Sequence, residues 1–140
     1  MITTLSVEEA RALLRSARLA RLGCIARDEP YVVPVNYAFD DECAISHSLP
    51  GLKITAMRER PRVCLQVDAV KDQFNWKSVL AYGTFEEIVN TDERARALSL
   101  LLSLFPRLTP VETLIAEDAN APAPIVYRIR IDRVTGIREG

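Results

Sequence analysis

The histidine at position 47 is the only one in the chain, and it lies among residue types that bind anions. It is followed by Ser48, a Pro50–Gly51 turn and Lys53. A helix that starts at this turn presents free backbone N–H groups and the positive end of its dipole, and a first-turn lysine adds a full charge. Ser48 adds a hydroxyl donor. The combination suits a phosphate. The alternative is a helix capped by Ser48 with Lys53 in solvent, which explains the same residues without a ligand.

His47 is the candidate catalytic residue of this corner. A lone histidine at the end of a strand is more often structural or simply exposed. If a ligand occupies the corner, however, His47 becomes its natural proton donor, because imidazole titrates near neutral pH.

A second candidate cluster opens a later strand. Trp76, Lys77 and Ser78 place an aromatic surface, a cation and a hydroxyl side by side. Each of the three could face a ligand. Packing at the start of a strand, with Lys77 in water, is the simpler explanation of this cluster taken alone.

A third cluster lies within the stretch VVPVNYAF. Asn36 is a polar residue in an apolar strand, and it needs hydrogen-bond partners if it is buried. Pro34 cannot donate to a sheet ladder, which indicates an edge strand or a bulge. Irregular backbone at Pro34 and Val35 would leave N–H and C=O groups free to bind the edge of a ring, and a plain bulge is the alternative.

The apolar patterns predict a mainly β chain with flanking helices. The predicted strands cover about residues 20–27, 31–39, 43–48, 61–70, 76–89 and 124–137. A capping box formed by Ser6 and Glu9 predicts the start of a first helix. Two further helices are predicted over about residues 51–60 and 91–105, and Thr91 is the predicted N-cap of the last. Gly83 predicts a bulge. Residues 106–124 contain four prolines and predict a loop, with one helical turn near residues 111–117.

Short connections between these strands imply antiparallel pairing. We therefore expect a small antiparallel β-barrel with three outer helices, formed by residues 1–140 as a single domain. An apolar barrel face left uncovered would favour a dimer.

Composition narrows the class of protein. A net charge of −1 does not indicate a nucleic-acid partner, and no apolar run approaches the roughly 20 residues of a membrane span. The first residues lack the pattern of a signal peptide, so we expect a cytoplasmic location. The three cysteines include no C-x-x-C pair and are expected to be reduced, buried thiols. A metal site built from them and His47 is a weaker alternative.

Three stretches, taken in order, carry a resemblance to a known family: VVPVNYAF, HSLPGLKITAMRERPRVCLQV and WKSVLAYGTFEEI. Together they resemble the pyridoxamine 5′-phosphate oxidase-like superfamily of FMN-binding split barrels, and within it the group related to nitroimidazole-resistance proteins. The resemblance covers about residues 5–89 and the last strand. It implies a six-stranded split barrel and a homodimer with two FMN sites in clefts between the subunits.

The resemblance also implies roles for individual residues. Lys53 and Ser48 would hold the FMN phosphate, and Ser78 would add a hydroxyl to the phosphate or the ribityl chain. Pro34, Val35 and Asn36 would lie along the isoalloxazine ring, and His47 would lie near the flavin on the substrate side. Trp76 and Lys77 would line the cleft, reaching across the dimer.

The expected activity is reduction of a small acceptor, such as a nitroaromatic or a quinone, by a reduced nicotinamide through FMN, with His47 as proton donor. The arginines with which the true oxidase holds its substrate phosphate have no match here, which argues against oxidation of vitamin B6. Leu49 and Pro50 are bulkier than the residues common in relatives and would narrow the pocket. Three alternatives remain open: a flavin-binding or sensing module without turnover, a haem protein with His47 as axial ligand, and a deazaflavin-binding protein.

Overall fold

The computed structural model describes residues 1–105 and 124–140, so the loop and helical turn expected within residues 106–123 lie outside the described residues. The helices are α1 (Val7–Ser16), α2 (Leu52–Glu59) and α3 (Thr91–Leu104). The strands are β1 (Ile2–Thr4), β2 (Leu19–Ala26), β3 (Glu29–Asn36), β4 (Ala38–Phe39), β5 (Cys43–Ser48), β6 (Arg62–Asp72), β7 (Asn75–Glu87) and β8 (Ile125–Glu139). None of the described helices is long and apolar enough to cross a membrane.

The strands form one antiparallel sheet whose two edges meet. Its order is β3-β2-β6-β7-β8-β5-β4, with β1 paired to β8. The edge strands β3 and β4 are separated in the chain only by Tyr37, so the sheet must curl until its edges are neighbours. The seam between them has no described ladder. This arrangement confirms the expected fold class, an antiparallel split barrel with outer helices.

The core of the protein fills the inside of this barrel. Alternate residues of β2, β6 and β7 point inwards, including Leu22, Leu65 and Val79, which are at most 2% exposed. Helices α1 and α2 close the same core, and Leu14 and Met57 are fully buried in it. Helix α3 instead covers the outer side of β5 and the start of β8, where it buries Cys43, Ile45 and Val126.

Three local features differ from the sequence-based expectation. The described chain forms eight strands rather than six, because β1 is defined only by its pairing with the distant β8 and because β4 is separated from β3. The single strand expected over residues 31–39 is broken at Tyr37, whose N–H donates to Arg18 O at 3.0 Å. The N-cap of α3 is Asn90 and not Thr91, because Asn90 Oδ1 accepts from the Glu93 N–H at 3.0 Å.

The bulge expected at Gly83 is confirmed. The pairing of β7 with β8 shifts register between Tyr82 and Gly83. The capping box of Ser6 and Glu9 is also present at the start of α1, and β3, which contains Pro34, is an edge strand of the described sheet as expected.

Candidate functional site

The corner between β5 and α2 lacks a side-chain cap from the described residues. Ser48 is 8% exposed and donates its hydroxyl to Leu49 O at 2.8 Å, so it does not cap the helix. The N-cap is Gly51, and no side chain among residues 1–105 and 124–140 caps the first turn of α2. A Cβ atom at Gly51 would meet only Leu49 O, 3.9 Å away. With Lys53 half-buried in the first turn, the corner has the chemistry of an anion site.

Ser46 joins the end of β3 to this corner. Ala38 pairs with Ile45, and continuing that register across the seam sets Asn36 opposite His47. The Ser46 hydroxyl, 4% exposed, donates to Asn36 O at 2.6 Å. Two of the clusters singled out in the sequence, at the end of β3 and the end of β5, are therefore brought together at the seam of the barrel.

Strand alternation decides which side chains at the seam share a face. Ser46 and Ser48 lie on the same face of β5 as Ala44, which belongs to the interior core. His47 lies on the opposite face with Cys43 and is half-buried.

The same alternation divides the residues of β3. Val35 is 6% exposed and belongs to the interior core, whereas Pro34 and Asn36 are exposed on the outer face. A ligand on the outer face can therefore reach the side chains of Pro34, Asn36 and His47. Val35 would offer its backbone to that ligand, and the Ser48 hydroxyl would have to turn towards it.

The structure does not bring Trp76, Lys77 and Ser78 to this corner within one chain. On β8, Ser48 pairs with Ile125, whereas Trp76 pairs with Glu139. These partners are 14 residues apart (139 − 125), which is about 45 Å along the strand at roughly 3.3 Å per residue. The Ser78 hydroxyl accepts a hydrogen bond from Gln66 Nε2 at 3.1 Å.

Trp76 and Lys77 instead line a groove of about 570 Å³ beside α1. We call it the α1 groove; its lining includes α1 and the ends of β6, β7 and β8, and its residues are Glu9, Ala12, Leu13, Ser16, Ala69, Lys71, Asn75, Trp76, Lys77, Arg138, Glu139 and Gly140. The Trp76 indole N–H donates to Glu139 Oε2 at 3.1 Å, which fixes the ring against the end of β8. The Arg138 guanidinium nitrogen Nη1 lies 3.5 Å from Glu9 Oε2.

Comparison with known proteins is consistent with this geometry. The sequence profile of the family described as "Pyridoxamine 5'-phosphate oxidase" matches residues 6–138. The chain belongs to this family. It is 33% identical to the uncharacterized protein RA0666 of Rhizobium meliloti strain 1021, over 96% of this chain and 93% of that protein.

Solved structures of the same fold include two informative neighbours. A FAD-binding protein from Mesorhizobium loti is similar with a TM-score of 0.79 and 33% identity, over 100% of this chain and 98% of the other. A candidate 5-nitroimidazole antibiotic resistance protein from Bacteroides thetaiotaomicron has a TM-score of 0.76 at 20% identity, over 99% of this chain and 87% of the other. The family resemblance inferred from the three sequence stretches is thereby confirmed.

Sequence reasoning missed two polar side chains of this family member that lie behind the seam. One is Ser46, a polar residue in an apolar strand, which is the signal that singled out Asn36. The other is Tyr127, 1% exposed, whose hydroxyl has no hydrogen-bond partner among the described residues. Burial raises the pKa of Tyr127; Ser46 lies close enough to oppose that shift, but the two hydroxyls do not meet in hydrogen-bond geometry.

The cysteines are placed largely as small hydrophobic residues. Cys24 and Cys43 are buried, and burial raises the pKa of both thiols. Cys64 is half-buried on the outer face of the sheet, beside Gly23. Within residues 1–105 and 124–140, no group of histidine, cysteine and carboxylate side chains is arranged to hold a metal ion.

Proposed function

We propose that this chain is an FMN-binding oxidoreductase that reduces a small acceptor with electrons from a reduced nicotinamide. The observation that carries the proposal is the Ser46–Asn36 hydrogen bond of 2.6 Å. It holds the end of β3, which carries Asn36, against the end of β5, which carries His47 and leads into α2. Membership in the pyridoxamine 5′-phosphate oxidase family and similarity to a protein named as FAD-binding support a flavin as the ligand.

The residues at the corner fit the phosphate of FMN. The first turn of α2 receives no side-chain cap from the part of the chain that the structure describes, so its N–H groups can donate to phosphate oxygens. Lys53 adds a positive charge in the same turn. Gly51, with open space beside it, lets the phosphate approach the backbone closely.

The ring of the flavin would lie along the outer face of the seam. Pro34 and the backbone of Val35 would contact the ring, and Asn36 would hydrogen-bond to its edge. When bound, the flavin supplies two-electron transfer from the nicotinamide to the acceptor, such as a nitroaromatic or a quinone. His47, on the same outer face, would hold the proton that the acceptor takes up from imidazole Nδ1 or Nε2.

The proposed assembly is a homodimer with a flavin in each of two clefts. Trp76, Lys77 and Ser78 lie at the far end of β8 from the corner, so only a second subunit could bring them to the same flavin. An apolar surface supports such pairing: the outer face of β2, β3, β6 and β7 forms a depression of about 330 Å³. Val32, beside it, is 66% exposed. Burial of this face against a second copy would stabilise the dimer.

An absorbance spectrum of the purified protein, before and after addition of FMN and removal of the excess, tests cofactor binding. Stoichiometric flavin bands that bleach with NADH and return with a nitro compound would support the reductase. Flavin bands indifferent to both would favour the binding or sensing module. A Soret band would favour haem at His47, and absence of retained FMN would contradict the flavin proposal and leave deazaflavin as the next ligand to test.

A further inference from the structure

Four polar side chains form a connected network on the outer face of the sheet. They lie on three neighbouring strands, because Arg21 of β2 pairs with Gln66 of β6, and Asp68 of β6 pairs with Ser78 of β7. Core residues alternate with them along each of these strands, so strand geometry directs all four side chains away from the core. Of the four, only Ser78 belongs to the proposed flavin cleft.

The two charged members of the network fix the orientation of the Gln66 amide. Arg21 Nη1 lies 3.2 Å from Asp68 Oδ2. Gln66 bonds to both charged groups: its Oε1 accepts from Arg21 Nη1 at 3.4 Å, and its Nε2 donates to Asp68 Oδ2 at 3.1 Å. The opposite orientation would place the amide nitrogen against the guanidinium and the amide oxygen against the carboxylate. Both contacts would be repulsive, since two donors or two acceptors would face each other.

The fixed amide decides which hydrogen bonds the Ser78 hydroxyl can make. An amide nitrogen carries two N–H groups; Gln66 donates one to Asp68 and the other to Ser78 Oγ, at 3.1 Å. Ser78 therefore accepts from Gln66 and keeps its own proton. Within residues 1–105 and 124–140, no group accepts that proton. Because Ser78 is half-buried on the outer face, its proton is available to an acceptor that approaches this face.

We propose that Gln66, oriented by its two charged neighbours, holds the Ser78 hydroxyl as a hydrogen-bond donor to an oxygen of the bound flavin. The choice of a flavin rests on the proposed function; the orientation of Ser78 itself does not. The oxygen belongs either to the phosphate or to the ribityl chain, and both accept hydrogen bonds. Gln66 is thus a positioning residue, which acts through Ser78 and does not need to touch the flavin.

A double-mutant cycle tests whether Gln66 acts through Ser78. Ser78→Ala should weaken FMN binding by about 3- to 10-fold, the range for one hydrogen bond, and Gln66→Met by about 2- to 5-fold, because the hydroxyl can then turn away. Methionine keeps the length of the glutamine side chain and removes both N–H groups. With Ser78→Ala already present, Gln66→Met should cause no further loss. Normal FMN affinity in either single variant, or an equal loss from Gln66→Met with and without Ser78, would overturn the proposal.

Gln73→Met is the matched control, because it removes the same amide from an exposed position in the turn between β6 and β7. It should bind FMN normally, and a loss equal to that of Gln66→Met would contradict a specific role for Gln66. Riboflavin, which lacks the phosphate, locates the acceptor. If Ser78→Ala weakens FMN and riboflavin equally, Ser78 donates to the ribityl chain; if it weakens FMN alone, Ser78 donates to the phosphate.

The flavin-free protein gives a readout that does not depend on the cofactor. In heteronuclear NMR spectra of nitrogen-labelled protein, the two side-chain N–H signals of Gln66 are those missing from Gln66→Met. Ser78→Ala should shift one of them and speed its exchange with water, because that N–H loses its acceptor. If neither signal changes, Gln66 does not bond to Ser78 and the proposal fails. Signals that change as expected in a protein that binds no FMN would instead contradict the proposed function.

Discussion

At the scale of single residues, the proposed site depends on three side chains with different tasks. Lys53 would supply charge at the start of α2, and His47 would deliver the proton to the acceptor. Ser46 holds the end of β3 against β5. Each task predicts a different measurable defect when the side chain is removed.

Replacing Lys53 with alanine should weaken FMN affinity by about 1.5–3 kcal/mol, because an ammonium–phosphate hydrogen bond is lost. Quenching of flavin fluorescence on binding gives the dissociation constant. Arg96→Ala, which removes the same charge from an exposed position on α3, is the matched control and should bind normally. An unchanged affinity for the Lys53 variant would remove that residue from the site.

His47→Ala should lower turnover by about 10²-fold or more while the flavin stays bound, because alanine cannot deliver a proton to the acceptor. Steady-state kinetics with NADH and a nitroaromatic acceptor measure the loss. His47→Gln keeps a hydrogen-bonding side chain but not the titratable proton, and should be similarly slow. Wild-type turnover in either variant would leave His47 with a structural role only.

Ser46→Ala should weaken FMN binding by about 3- to 10-fold, equivalent to one hydrogen bond of roughly 0.5–1.5 kcal/mol, because the end of β3 is no longer tied to β5. Ser46→Thr keeps the hydroxyl and should restore most of the affinity. Tyr127→Phe removes the neighbouring buried hydroxyl, which has no described partner, and serves as the control. Normal FMN affinity in Ser46→Ala would show that the seam holds without this bond.

At the scale of secondary structure elements, the long β7–β8 pairing sets the positions of the corner and the α1 groove. β8 pairs with β5 near one end and with the start of β7 at the other, so its length separates the corner from the α1 groove. The pairing bends at Gly83, where β7 and β8 shift register. A side chain at this position would enter the partner strand.

Gly83→Ala should therefore destabilise the fold. A Cβ atom there would lie 2.8 Å from Ile129 Cγ2 and closer still to the backbone oxygen of Arg130. The expected loss is about 1–3 kcal/mol in the free energy of unfolding, as for other overpacked sites. Urea denaturation of the flavin-free protein measures it. Gly51→Ala, which meets only Leu49 O at 3.9 Å, should cost clearly less; equal losses would contradict the steric argument.

At the scale of the whole molecule, the proposed function requires two copies of the chain. The corner of one subunit and the Trp76 end of β8 in the other would form each site. Lys53→Ala and Trp76→Ala are then defects on different sides of the same cleft, and mixing the two variants can rebuild a complete site.

Equal amounts of the two variants, mixed and allowed to exchange subunits, should regain about one quarter of the FMN sites. Half of the dimers would carry one variant of each kind, and one of the two sites in such a dimer would be intact. Equilibrium dialysis against FMN counts the sites, and each variant alone is the control. A protein that stays at the mass of one chain, 15.7 kDa, or a mixture that regains no sites, would contradict the shared cleft.

Much of the fold is contained in local sequence patterns. Alternation of apolar residues located β5 at residues 43–48 and most of β2, β6, β7 and β8, because a half-buried strand repeats every two residues. The capping box located α1, and Gly83 located the bulge. Three spaced stretches were also sufficient to place the chain in its family, since they keep both residue type and order.

The arrangement of the site depended on contacts between distant parts of the chain. No local pattern states that the Ser46 hydroxyl bonds to Asn36 O, or that the edges of the sheet meet at Tyr37. Alternation along β3 and β5, together with the position of the core, decides that His47 and Asn36 face outwards while Ser48 and Val35 face inwards. The length of β8 decides that Trp76 lies about 45 Å along the strand from the corner. The sequence by itself therefore determined which residues are candidates for binding a flavin, and only the tertiary structure decided which of these candidates lie together, because strand register is a property of the closed sheet.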